Sequence, residues 1–167
     1  MAERKLPWRR SRNFDDDAES RPSQVFHRQR LLLEKMDNDQ SLKGKWVLSC
    51  TYEDRDENGL SELDRAWAAG KELYKEGITE KVSCFSAKLP KKPYDEYKTR
   101  NVECFVRNYN NISEIKRIAD AFRRKFHYPC LMYYRVYEDK LMTKYIHTAE
   151  GELYKVTDNG DRELVSE

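Results

Sequence analysis

Residues 44–88 constrain the fold most tightly, because their hydrophobic period changes twice within one short stretch. They read Gly-Lys-Trp-Val-Leu-Ser-Cys, an acidic loop, Ser-Glu-Leu-Asp-Arg-Ala-Trp with a helical continuation, then Glu-Lys-Val-Ser-Cys-Phe-Ser-Ala-Lys. Side chains alternate across a strand and recur every three to four residues on a helix. Trp46, Leu48 and Cys50 alternate with Lys45, Val47, Ser49 and Thr51, which gives a strand over 44–51. Leu60, Leu63, Trp67, Gly70, Leu73 and Tyr74 fall on one helical stripe. Ser61 and Asp64 stand before it at capping-box spacing, and Gly77 ends it. Residues 80–88 alternate again, Val82 and Cys84 against Lys81, Ser83, Phe85 and Ala87.

The remainder repeats that plan of strand, helix, strand. Val102, Cys104 and Val106 oppose Glu103, Phe105 and Arg107. Ser113 is the expected cap of a helix whose stripe is Ile112, Ile115, Ile118, Ala119, Phe122 and Phe126. In 130–137, Cys130, Met132, Tyr134 and Val136 oppose Leu131, Tyr133, Arg135 and Tyr137, and 143–147 with 152–156 make a closing hairpin. Two stripes of this kind shield one side of a sheet, so the expected class is α+β: a curved, mostly antiparallel sheet with two amphipathic helices on one face. Residues 1–22 show neither period and read as a disordered arm. A single domain is expected over 23–156, opening with a helix over 23–36 capped by Ser23, and 157–167 reads as a flexible tail.

With 32 basic against 30 acidic side chains the net charge is +2, so no bulk field draws the chain to nucleic acid or an anionic membrane, and any basic patch is local. No apolar run approaches the roughly 20 residues needed to span a bilayer, and the first residues lack a signal-peptide centre. The expected location is cytoplasm or nucleus, without membrane association. Cys50, Cys84, Cys104 and Cys130 are widely spaced, each in a strand-like run, and read as buried reduced thiols. His27, His127 and His147 lack ligand spacing, and the scattered glycines form no phosphate loop. Asp54 and Asp56, or Asp158 and Asp161, lie in polar loops with nothing apolar to raise a carboxyl pKa. The loop 54–59 has a calcium-like beginning, but the helical stripe occupies the place of the bidentate glutamate. No cofactor, metal or catalytic group is therefore expected.

What remains is the sheet face away from the helices. It is expected to display Lys45, Ser49, Lys81, Ser83, Phe85, Phe105, Arg107, Tyr133, Arg135 and Tyr137, beside a basic connection running from Lys88 to Arg100. Rings stack on bases, and lysine or arginine neutralises phosphate. The expectation is a non-enzymatic module holding RNA or a nucleotide through Lys81, Ser83, Phe85, Lys88, Phe105, Arg107, Tyr133 and Arg135. Two readings compete with it. The chain's own segments cover the face, since sheets carry aromatics for packing alone, or the protein is an adaptor docking a partner through the 23–36 helix or a sheet edge.

Gly44-Lys45-Trp46, Leu63-Asp64-Arg65-Ala66-Trp67, Lys81-Val82-Ser83 and the segment 102–126 followed by Tyr133-Tyr134-Arg135 resemble the basophilic-leukaemia-expressed protein family. That family in turn resembles the cap-binding translation initiation factors, in which a Gly-Arg-Trp strand leads to a Leu-Asp-Arg-Phe-Trp helix. The resemblance runs over residues 44–147 and implies that fold. In those factors a methylated guanine sits between two tryptophans, with an acid on its Watson–Crick edge and basic residues on its phosphates. The resemblance makes Trp46 and Trp67 core positions rather than the stacking pair. Where the nearer stacking tryptophan would fall the chain has Lys35, Met36 and Asp37, and where a phosphate-contacting arginine would fall it has Ser86 or Lys88. The implied inheritance is the fold without the cap site.

Overall fold

The computed structural model describes residues 21–24, 30–35, 43–85, 98–137 and 140–166. After a single 3-10 turn at Pro22–Gln24, the elements are β1 (Arg30–Glu34), β2 (Gly44–Thr51), α1 (Glu62–Lys75), β3 (Lys81–Phe85), β4 (Thr99–Val106), α2 (Ile112–Lys125), β5 (Met132–Tyr137), β6 (Leu141–His147), β7 (Leu153–Val156) and β8 (Arg162–Ser166). The eight strands form one sheet in the order β1-β3-β4-β2-β5-β6-β7-β8. Every pairing is antiparallel. Among the described residues no helix is long and apolar enough to cross a membrane.

Both helices pack on one face because their stripes meet one common set of inward side chains. Leu63, Ala66, Trp67 and Leu73 of α1 and Ile115, Ile118, Ala119 and Phe122 of α2 share a core with Trp46, Leu48, Val82, Cys84, Val102, Cys104, Met132 and Tyr134. Burying each large apolar side chain contributes about 1.5–3 kcal/mol. Trp46 also has a polar atom to satisfy, and its Nε1–H donates to the Ile115 carbonyl at 2.8 Å.

The helix ends follow local chemistry. Ser61 Oγ accepts from the Asp64 amide at 3.2 Å while the Asp64 carboxylate accepts from the Ser61 amide at 3.0 Å, which completes the capping box. Gly77, at φ +74°, follows the end of α1 in the left-handed conformation. Midway along α1, helix and sheet approach so closely that a Cβ on Gly70 would lie 2.6 Å from Val82 Cγ2.

A polar latch closes the far end of α2. Arg123 Nε donates to His147 Nδ1 at 2.7 Å, and its two terminal nitrogens reach the carbonyls of Tyr128 at 2.7 Å and of Cys130 and His147 at 2.9 Å each. A guanidinium only donates, so Nδ1 is an acceptor and the ring proton sits on Nε2, 2.7 Å from Asp120 Oδ1. The other Asp120 oxygen accepts from Lys116 at 2.8 Å. Burial pushes the His147 pKa down, with Arg123 and Lys116 adding to it and Asp120 opposing. Burial alone would raise the Asp120 carboxyl, but the bonds from Lys116 and His147 outweigh it and hold it below the usual range.

Four expectations are corrected. No helix spans 23–36 among the described residues: Leu31, Leu32 and Leu33 lie in β1, with Leu31 and Leu33 in the core. Three consecutive leucines fit either period, and pairing with β3 decides between them. Ser23 caps no helix of its own; its amide donates to Asp64 at 2.9 Å and its hydroxyl to the other oxygen of that carboxylate, which ties the first turn to the start of α1. The cap of α2 is Asn111, whose side chain accepts from the Glu114 amide at 3.1 Å, because the chain has already turned at Asn108. The tail expected over 157–167 instead folds back as β8 through a turn at Thr157 and Gly160. Residues 1–20 of the expected arm lie outside the described residues.

Gly70→Ala is expected to lower stability by about 1–3 kcal/mol through overpacking, although alanine is favoured over glycine by about 1 kcal/mol in a helix. In chemical denaturation the double variant with Val82→Ala should lose less than the two single losses combined, because the shortened side chain at 82 makes room. The latch predicts a pH dependence. The unfolded chain takes up a proton near the ordinary histidine value of 6.5, whereas His147 in the fold resists it. Its contribution is complete above that value and declines as pH falls through it; the Asp120 contribution declines only below 3.8. The urea midpoint should be lower at about pH 5.5 than at about pH 7.5, and His147→Gln should flatten the difference.

Candidate nucleic-acid interface

Register places the helix-free face in rows. Leu32, Ser83, Glu103, Val47, Tyr133, Ile146, Tyr154 and Leu164 follow one another across the eight strands. Beside that row, Phe105 pairs with Lys45, Lys45 with Arg135, and Arg135 with Thr143. On the β1 side, Glu34 pairs with Lys81.

The two halves of this face differ in charge balance. On the half toward β1, Lys45 of β2 is ion-paired to Glu103 of β4, Lys81 to Glu34 at 3.7 Å and, just beyond the ends of β4 and β3, Arg107 to Glu80. The ammonium groups of Lys45 and Lys81 lie over the Phe105 ring, 5.6 and 4.5 Å from its centroid. Phe105 is only 7% exposed and Ser83 is fully buried, its hydroxyl 3.4 Å from Glu103 Oε1. The structure therefore brings Lys81, Ser83 and Phe105 together, as the alternation implied, but with Phe105 and Ser83 buried and the neighbouring cations ion-paired to acids. That is a correction to the open, cationic face expected here. Phe85 stands at the margin, 36% exposed.

On the β5–β8 half, Tyr133 and Arg135 are half-buried and Tyr137 is 61% exposed, all three on the same side of β5. Leu141 in β6 and Leu164 in β8 are 46% and 49% exposed, and Tyr154 in β7 lies between the two strands. The β5–β6 register shifts so that Tyr134 pairs with Tyr145 but Arg135 with Thr143, leaving Lys144 as the extra residue of a bulge. Among the described residues Arg135 has no carboxylate partner. Lys88 lies outside the described residues, as do 86–97 of the expected basic connection.

Sequence reasoning missed Glu34, Glu80, Glu103, Tyr154 and Leu164. Glu103 was legible, since it shares its alternation with Phe105 and Arg107. Glu34 and Glu80 reach the face only through the pairing of β1 with β3 and the turn before β3, which no local pattern encodes.

The ionisable groups of the interior are held quiet. Cys50, Cys84 and Cys104 are buried free thiols, and burial pushes the Cys104 thiol up to about 12. Cys130, expected to be buried in a strand, is exposed because β5 begins only at Met132. Among the described residues no three His, Cys, Asp or Glu side chains are placed to hold a metal ion.

Compared with protein-family models and with curated protein sequences, the chain matches none.

Proposed function

We propose that the protein is a non-catalytic binding module that holds a nucleotide or short single-stranded RNA on the β5–β8 half of its helix-free sheet face. Tyr133 and Tyr137 are the stacking rings and Arg135 the phosphate contact. The observation that carries this reading is the alternation Tyr133, Arg135, Tyr137 on one side of β5, next to a half-face whose cations are already matched by acids. A phosphate arriving near Lys45, Lys81 or Arg107 must displace a glutamate, whereas Arg135 has no carboxylate partner among the described residues. Stacking contributes about 1–3 kcal/mol per base and tolerates any base.

The fold assignment that goes with this reading is the cap-binding-factor type. Its support is the order of strands and helices after Gly44 and the placement of Trp46 and Trp67, both fully buried. Neither indole is open to a guanine, so a ligand on this scaffold meets tyrosines rather than a tryptophan pair.

Fluorescence anisotropy with a uridine octamer, a cap analogue and mononucleotides tests the proposal. Tyr133→Ala should weaken octamer binding by about 1–3 kcal/mol, and Arg135→Glu should weaken it and reduce the salt dependence by about one phosphate contact. Lys81→Glu should matter less. Undetectable binding, or affinity indifferent to Arg135→Glu and to salt, overturns the reading.

A further inference from the structure

The opposite side of the sheet carries a recess between α2 and β8. Its volume is about 420 Å³, and Ile112, Lys116, Arg117, Asp120 and Arg124 of α2 face Val165 of β8 across it. At 1.5 Å per residue, positions 112 to 124 make a groove about 18 Å long on one helix face. Three cations meet one carboxylate there, and that carboxylate, Asp120, is taken by Lys116 at 2.8 Å and His147 at 2.7 Å. Arg117 bridges to Glu114 at 2.8 Å in an exposed contact on the helix surface, the kind of pair worth little and easily exchanged. Arg124 has no carboxylate partner among the described residues. The groove also borders a strand that ends the sheet, so among the described residues one edge of β8 carries no ladder.

We infer that this groove docks an acidic segment of a partner protein, extended and added to the free edge of β8, with its carboxylates at alternate positions turned toward α2. Same-side residues on a strand repeat every 6.4–6.8 Å or so. Lys116 and Arg124 are separated by about 12 Å of helical rise, which matches two acids four residues apart. Ile112, 41% exposed, and Val165 give the methylene stems of those carboxylate side chains a seat. Nucleic acid fits this surface less well. No aromatic ring lines the groove, and the backbone groups of a sheet edge are matched by another peptide backbone. The groove is distinct from the nucleotide-binding half-face, because Val165 packs toward the core while its neighbour Leu164 pairs with Tyr154 on the other side.

The test uses the full chain and fluorescein-labelled Thr-Glu-Val-Glu-Val-Glu-Thr, with three comparison probes: its lysine-for-glutamate counterpart, an analogue N-methylated at alternate amides, and the uridine octamer. The acidic peptide should bind, and Arg117→Glu with Arg124→Glu should weaken it about tenfold or more. Both side chains are on the helix surface, and circular dichroism confirms that the variants fold. Arg135→Glu should leave peptide affinity unchanged, which separates this surface from the one proposed for RNA. The inference is overturned if the acidic peptide does not bind, if the lysine peptide binds equally, or if the N-methylated analogue matches the parent. Octamer binding that is lost on Arg117→Glu with Arg124→Glu overturns it in favour of a nucleic-acid groove.

Discussion

The architecture depends on one side chain being both apolar and satisfied. Trp46 lies in β2, the strand between β4 and β5, and its ring packs against Tyr134 at 5.3 Å and His147 at 5.9 Å between centroids. Its indole N–H would carry a desolvation penalty in that setting if it lacked an acceptor. The Ile115 carbonyl supplies one, although a helical carbonyl ordinarily serves its own ladder. This bond, added to the packing of Ile115, Ile118, Ala119 and Phe122, ties α2 to the middle of the sheet. Once α2 is placed, α1 fills the adjacent space, close enough to β3 that only glycine fits at position 70.

Most of the inner layer was legible because it obeys one period at a time. β2 begins and ends where the alternation of Trp46, Leu48 and Cys50 says it should, and α1 is framed by Ser61, Asp64 and Gly77. β1 was not legible, because a run of leucines carries no period and the partner that makes it a strand is β3, far along the chain. β8 was hidden for a different reason: it is an edge strand, and a run such as Arg-Glu-Leu-Val-Ser offers little apolar content to separate it from a tail. The surroundings of the candidate site were illegible for the same cause. Alternation tells which side chains share a face but not which acids the neighbouring strands bring to it, so the pairing of Lys81 with Glu34 was invisible locally.

The helix-free face is thus two surfaces in one. Toward β1 it is an internally balanced layer, with ammonium groups over an aromatic ring and carboxylates beside them. Toward β8 it is rings and aliphatic side chains with an arginine among them. A boundary of that kind orients whatever binds: an approaching anion meets ion-paired cations on one half and, on the other, an arginine with no carboxylate partner among the described residues. The proposed nucleotide contacts lie in β5 and the proposed acidic partner at the outer edge of β8, with β6 and β7 between them.

The bonding of Arg123 has a kinetic corollary. One guanidinium holds three main-chain carbonyls, at 128, 130 and 147, and an imidazole nitrogen besides. The link from α2 into β5 is thereby clamped by a side chain rather than by strand partners. Withdrawing the arginine takes the donor from all four acceptors at once, three of them part-buried. Opening of this corner should be a concerted, infrequent event, and amide protons on both sides of the clamp should exchange with solvent at a common rate.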